Sequence, residues 1–219
     1  MGTAQPAVDP KDSVRQAYDQ VADAYFDWAT PRPTTTRASY IDRLLKELKP
    51  GASILELGCG PGVPCTQQFI SHGLQVTAVD ISIAQIELAR KHVPGATFLH
   101  ADMTELFFPD KSFDAVVAFY SIFHLPKEEQ GIMIRKISGW LKEGGWMLLN
   151  FSTNDEDVRR AGWLGATAEM FHFGLGVEGN RAVMAKDGAG LKILEDEVAV
   201  EVVGRFEERF HWFLAVKEK

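Results

Sequence analysis

The sequence predicts an α/β protein built on a doubly wound sheet, and three observations predict it. From Ser53 onward, short apolar runs alternate with helical patterns. A glycine-rich turn, Gly58-Cys59-Gly60-Pro61-Gly62, follows the first run, and aspartates stand at the ends of the second and third, at Asp80 and Asp102. Short apolar runs bounded by turn residues read as strands buried on both faces, and strands alternating with helices close into a parallel sheet covered on both sides.

The elements follow in order. Residues 1–10 read as a frayed tail. From Asp12 the apolar positions Val14, Ala17, Tyr18, Val21, Ala22, Tyr25 and Trp28 recur at helical spacing, which predicts one amphipathic helix ending near Pro31 and Pro33. A second helical pattern carries Ile41, Leu44, Leu45 and Leu48 to the Lys49-Pro50-Gly51 break, so residues 11–48 are expected to form N-terminal lid helices. Strands are predicted at 53–57, 75–80, 97–100, 113–119 and 146–151, with helices at 83–92 and 127–141. The stretch 152–187 is rich in glycine and aromatics and reads as a looser insert. Strand patterns at 191–203 and 210–216 end the chain.

At 219 residues the chain suits one compact domain, and 46% hydrophobic with 24% charged residues is an ordinary globular balance. A formal net charge of -7, with no lysine or arginine run, argues against a nucleic-acid partner. Cys59 and Cys65 are too few for a disulfide framework and lack the partners of a zinc site, so a reduced compartment is expected. No basic flank precedes an apolar run, and no stretch reaches about 18 continuous apolar residues. Neither secretion nor membrane spanning is expected, and the expected location is the cytoplasm.

The chemistry concentrates at the carboxyl ends of the strands, where open α/β sheets bind ligands. Glycines let a ligand approach the backbone, and the helix that follows turns free N–H groups toward it. Asp80 stands about 20 residues beyond the loop, where a carboxylate can accept both hydroxyls of a nucleoside ribose. Asp102, at the rim of the same crevice, can accept an adenine amino proton. Read only as structure, the glycines make a tight turn, Asp80 caps a helix, and Asp102 closes a turn.

Together, Leu55-Glu56-Leu57-Gly58-Cys59-Gly60-Pro61-Gly62, Asp80-Ile81 and Ala101-Asp102-Met103 resemble the class I S-adenosylmethionine-dependent methyltransferases, over the sheet from Ser53 to the C-terminus. Within that family the run Phe-Asp-Ala-Val-Val-Ala-Phe-Tyr-Ser-Ile-Phe-His-Leu-Pro is similar to the small methyltransferase-domain group. The resemblance implies a Rossmann-like sheet of seven strands, mostly parallel, with an antiparallel last strand inserted beside the fifth. It implies that Gly58, Cys59, Gly60 and Gly62 shape the cofactor loop and that Glu56 lies below the methionine amino group. Asp80 holds the ribose, with Ile81 against the adenine and Asp102 and Met103 at its N6 and N1. Phe119, Tyr120 and Ser121 lie beside the methionine arm, and an N-terminal helix with Tyr18 and Tyr25 covers the cofactor as a lid.

Two alternatives stand beside that reading. A nicotinamide-dependent oxidoreductase fingerprint wants glycine or alanine where Gly58-x-Gly60-x-x-Val63 has Val63, and a module that binds S-adenosylmethionine without methylating keeps the same fold. For methyl transfer, orientation supplies much of the barrier, roughly 7–11 kcal/mol. His124 is the base to name first, with backbone hydrogen bonding as its other reading. A small-molecule acceptor is expected under the N-terminal helix and the insert, in an apolar, aromatic pocket offered by Trp28, Trp163, Met170, Phe171 and His172. The same side chains could equally fill the insert's own small core. No acidic cluster has metal-ligand spacing, so no metal is expected. The acceptor's identity and the oligomeric state are not encoded legibly.

Overall fold

The structure is a computed structural model and describes residues 9–30, 35–203 and 206–219; the predicted tail falls almost wholly outside them. Two short helices open the chain, α1 (Pro10–Gln20) and α2 (Ala22–Ala29), where the sequence predicted one. Val21, at φ -111° and ψ 15°, breaks the run between them. Then follow α3 (Thr35–Glu47), β1 (Ser53–Leu57), α4 (Cys65–Ser71), β2 (Gln75–Asp80), α5 (Ile83–His92), β3 (Thr97–His100), β4 (Phe113–Ala118), α6 (Lys127–Trp140) and β5 (Leu141–Ser152). The insert holds a small hairpin, β6 (Val158–Arg160) and β7 (Met170–His172), and a helix, α7 (Gly176–Asp187). Strands β8 (Leu191–Val203) and β9 (Phe206–Lys217) complete the chain.

The seven-stranded sheet has the order β3-β2-β1-β4-β5-β9-β8. Strands β1 to β5 pair in parallel, β9 pairs antiparallel with β5, and β8 pairs antiparallel with β9. This is the terminal pair that the methyltransferase resemblance implies and that a nicotinamide enzyme does not predict. Strand β5 starts earlier than expected. The residues between the expected helix and strand, with Gly144 and Gly145, keep pairing through a shift in register, so the glycines form a bulge inside a longer strand.

Because side chains alternate along a strand, each strand feeds two cores. Ile54, Ala115 and Val117 face α3, α4 and α5 with Ile41, Leu44, Phe69 and Ile86. Leu55, Leu57, Val116 and Ala118 face α6 and α7 with Met133, Ile137 and Met184. Helix α3 therefore belongs to the sheet's cover and not to the lid, as its buried Tyr40, Ile41 and Leu44 require. Only α1 and α2 lie over the sheet's carboxyl edge, where Val14, Ala17 and Val21 make a third small core with Ala166, Met170 and Phe171 of the insert. Among the described residues no helix is long and apolar enough to cross a membrane.

Candidate active site

The first wall is the turn after β1. Gly58 has φ +76°, and a Cβ there would stand 2.4 Å from the Cβ of Ser121, so no other residue fits without moving β4's end. Ser121 Oγ in turn donates to the Leu57 carbonyl at 2.8 Å. Gly60 has φ +53° and comes within 3.4 Å of Tyr25 by the same construction. Gly62 packs against Ala89 of α5 and Val93 just beyond it, and Cys59 is buried; neither lines the crevice, and both shape it from behind.

Asp80 closes β2 beside this turn. The Gly60 N–H donates to one carboxylate oxygen at 2.8 Å and the Ser82 N–H to the other at 2.9 Å. Burial pushes its pKa up to about 6 against those two bonds. Each oxygen has accepted one protein hydrogen bond, and a carboxylate has about four acceptor sites, so both retain capacity for a pair of hydroxyls. The bare glycine bend and the half-satisfied acid fit the adenosyl group that the sequence resemblance implies.

Glu56 lies deeper, outside the crevice lining, and accepts from Thr66 Oγ1 at 2.5 Å. Burial raises its pKa to about 8, opposed by that bond and by the charge of Arg37. Arg37, from α3, lies over the Tyr120 ring at 5.5 Å. Tyr120 itself has φ +54°, a left-handed conformation costing about 1–3 kcal/mol, and it is held by the Asn150 side chain on its N–H and by Glu201 on its hydroxyl. Neither Arg37 nor the Tyr120 brace is legible in the sequence, since a lone basic residue in an amphipathic helix and a tyrosine at a strand end carry no distinguishing pattern.

Asp102 stands at the opposite rim. Thr104 donates to one of its oxygens from both N–H and hydroxyl at 2.8 Å, and Lys11 of α1 meets the other at 2.8 Å. Burial pushes the Asp102 carboxyl up, but Lys11 and Thr104 outweigh it and hold it below the usual carboxylate range. Lys11 also reaches Glu129 of α6 at 3.0 Å, tying the lid to the far face of the sheet. On the other side Asp19 accepts from Ser82 Oγ at 2.6 Å.

Between α1 and the sheet lies a crevice of about 70 Å³, lined by Tyr18, Tyr25, Gly58, Gly60, Asp80, Ile81, Asp102, Met103, Phe119, Tyr120, Ser121, His124 and, unforeseen, Lys11. A second cavity of about 610 Å³ opens beneath α2 and the insert. Trp28, Trp163, Met170 and His172 line it as expected. Phe171 does not: β7 alternates, so its side chain turns into the lid core while its carbonyl faces His124. The lining is more polar than the expected aromatic slot, because Arg37, Arg160, Glu201, Glu207, Glu208 and Arg209 join it. Tyr18, Tyr25, Tyr120 and His124 line both spaces and form the passage between them. Among the described residues no three His, Cys, Asp or Glu side chains gather as a metal site.

His124 is fixed in one tautomer. Its Nδ1 lies 2.7 Å from the Phe171 carbonyl, which only accepts, so Nδ1 carries the proton. Burial lowers its pKa to about 4, leaving the ring neutral and Nε2 a bare acceptor, 3.1 Å from the Tyr18 hydroxyl. Tyr18 Oη–H therefore donates to Nε2. His172 stands edge-on at 4.8 Å between ring centroids; burial first, then the charge of its neighbours His124 and Arg160, lowers its pKa to about 3.

Residues 54–145 match the family described as methyltransferase domain. The chain is 35% identical over 129 residues to 27-O-demethylrifamycin SV methyltransferase of Amycolatopsis mediterranei, covering 55% of this chain and 46% of that protein. It is 29% identical over 180 residues to an O-methyltransferase of Penicillium expansum, covering 72% and 64%. It therefore spans less than two thirds of these relatives. The magnesium protoporphyrin IX methyltransferase of Synechocystis, solved with bound S-adenosylmethionine, superposes with a TM-score of 0.73 at 17% identity, covering 98% of this chain and all (100%) of the other, which is a likeness of fold.

Proposed function

We propose that this chain, which carries a class I S-adenosylmethionine-dependent methyltransferase domain, transfers the cofactor's methyl group to a small organic acceptor held in the larger cavity. One observation carries the reading: among the described residues, Tyr18, Tyr25, Tyr120 and His124 line both the crevice and the cavity. A methyl donor seated in the first and an acceptor in the second would face each other there, and such placement by itself is worth roughly 7–11 kcal/mol of the barrier. Names among the relatives agree, one being an O-methyltransferase and another named for a demethylrifamycin.

When bound, the cofactor supplies an electrophilic methyl on a sulfonium sulfur. Asp80 would accept hydrogen bonds from the ribose hydroxyls, Ile81 and Met103 would pack on the adenine, and Asp102 would accept a hydrogen bond from its amino group while keeping Lys11. Gly58 and Gly60 admit the methionine arm. Glu56 and Arg37 suit the ammonium and carboxylate at its end, and the ammonium would draw Glu56 back to its charged form. Tyr18 and Tyr25 stand over the crevice from α1 and α2, which would open to admit the cofactor and close over it. His124, with a free-base Nε2, receives the acceptor's proton. A reduced, cytoplasmic setting is part of the proposal, since two cysteines are too few for a disulfide framework. The test is a methyl-transfer assay on a panel of small hydroxyl, amine and thiol compounds, scored by S-adenosylhomocysteine release. Acceptor-dependent release supports the proposal, whereas cofactor binding with no transfer to any compound points to a non-methylating module.

A further inference from the structure

The Tyr18–His124 hydrogen bond has a polarity that bears on the acceptor. His124 Nδ1–H is committed to the Phe171 carbonyl at 2.7 Å, so Nε2 accepts, and the Tyr18 hydroxyl spends its only proton on it at 3.1 Å. What Tyr18 presents to the passage is therefore a lone pair: in this setting its oxygen receives a hydrogen bond and has none to give. The ring is held edge-on by Tyr25, His124 and Trp163, with centroids 5.4, 5.6 and 5.4 Å away, so the oxygen stays aimed at the imidazole. Beyond it, the rings of Trp28, Trp163, Phe123 and Phe210 share the cavity wall with the charged Arg37, Arg160 and Glu201.

We infer that Tyr18 is a catalytic residue as well as a lid residue, and that the acceptor is a phenol whose hydroxyl donates to Tyr18 Oη and loses its proton through Tyr18 to His124. The inference rests on the methyltransferase reading above and gives it a substrate class. In the step, a bond forms between the phenol oxygen and the methyl carbon as the methyl–sulfur bond breaks, and the sulfonium becomes a neutral thioether. The phenol proton passes to Tyr18 Oη while the Tyr18 proton passes to His124 Nε2. The product side holds an aryl methyl ether, S-adenosylhomocysteine and an imidazolium, whose Nδ1–H keeps its bond to Phe171. A neutral phenol gains nucleophilicity as its proton leaves, whereas a free-base amine attacks with a lone pair it already has, so a proton relay at this spot favours the former.

The test compares wild type with Tyr18→Phe, which keeps the ring and deletes the hydroxyl, across phenols of graded acidity. Wild type should methylate phenols. Tyr18→Phe should lose about 100-fold in turnover on weakly acidic phenols, and little on nitrophenols already ionised at the assay pH. The variant should still fold and bind S-adenosylhomocysteine, with a melting temperature lower by about 2–4 °C for the lost buried hydrogen bond. A readout without turnover accompanies it: in the S-adenosylhomocysteine complex, wild type should bind a phenol more tightly than its methyl ether, and Tyr18→Phe should lose that preference. Equal loss on all phenols, no loss on weak ones, methylation of amines or thiols only, or no preference over the methyl ether would each overturn the relay and leave the methyltransferase reading standing. Failure of wild type to bind S-adenosylhomocysteine would overturn the reading beneath it.

Discussion

The crevice and the cavity share four side chains, yet they are made by different means. The crevice is made by backbone: a glycine bend, an aspartate gripped by the N–H groups of Gly60 and Ser82, and a second aspartate turned by Thr104. Every one of these pieces lies at the end of a parallel strand, and the backbone hydrogen bonds that set the two aspartates span 20 residues or fewer. The cavity is made by side chains from α2, α3, β5, the insert, β8 and β9, brought together only by tertiary packing. A site held by main chain at strand ends tolerates little change and has a local signature; one walled by side chains from distant segments can be re-lined freely and has none.

If that contrast is right, damage to the two regions should separate. The largest effect should come from Asp80→Ala, which removes both ribose acceptors: charge-assisted hydrogen bonds are worth about 1.5–3 kcal/mol each, so S-adenosylhomocysteine affinity should fall at least 100-fold by calorimetry. An affinity within threefold of wild type would break the comparison at its root.

Acid comes next. The native His124 pKa, about 4, lies below the unfolded value near 6.5. Between those values the unfolded chain binds the extra proton, so the native state is fully favoured above pH 6.5 and loses stability as pH falls toward 4, by up to about 3 kcal/mol. His172 adds in the same direction. Melting curves from pH 7 to 4.5 should show the loss, and His124→Gln should make it shallower; an unchanged pH dependence in that variant would contradict the burial argument.

His124→Gln should also cut turnover by more than tenfold while leaving S-adenosylhomocysteine affinity intact, because the side chain is shared by both spaces but its proton chemistry belongs to the acceptor side. Lys11→Met should act in the opposite sense and most mildly. Losing the tie to Asp102 and Glu129 should weaken S-adenosylhomocysteine binding a few-fold, read as faster release in stopped-flow, with acceptor KM unmoved; a larger change in acceptor KM than in release would blur the distinction.

The same contrast accounts for what the sequence discloses. Strands β1, β2, β3 and β8 and helix α5 coincide with their predicted bounds: β1 and β2 are short buried apolar runs closed by turn residues, β8 is rich in β-branched residues after the Gly188-Ala189-Gly190 turn, and α5 starts on the Ser82 cap. Helix α7 was missed: its Gly176 and Gly179 and scattered apolar positions give no helical period, and tertiary contact with α6 and β5 decides its shape. The break at Val21 and the membership of α3 in the sheet's cover are likewise tertiary outcomes. Among site residues, the loop glycines and the two aspartates carry their own spacing signal. Lys11 meets Glu129 across 118 positions, and Arg37 reaches Tyr120 and Glu56 from a separate helix, separations over which one sequence offers no pairing signal. The facing of Phe171 was lost to the parity of a three-residue strand.

The central claim, that the crevice is an adenosyl sulfonium site, is tested most directly by calorimetric titration of the purified chain with S-adenosylmethionine, S-adenosylhomocysteine and NADH in turn. Saturable one-to-one binding of the first two, abolished in Asp80→Ala, with none for NADH, is the predicted result. Binding of NADH with no response to either sulfur compound would contradict the account.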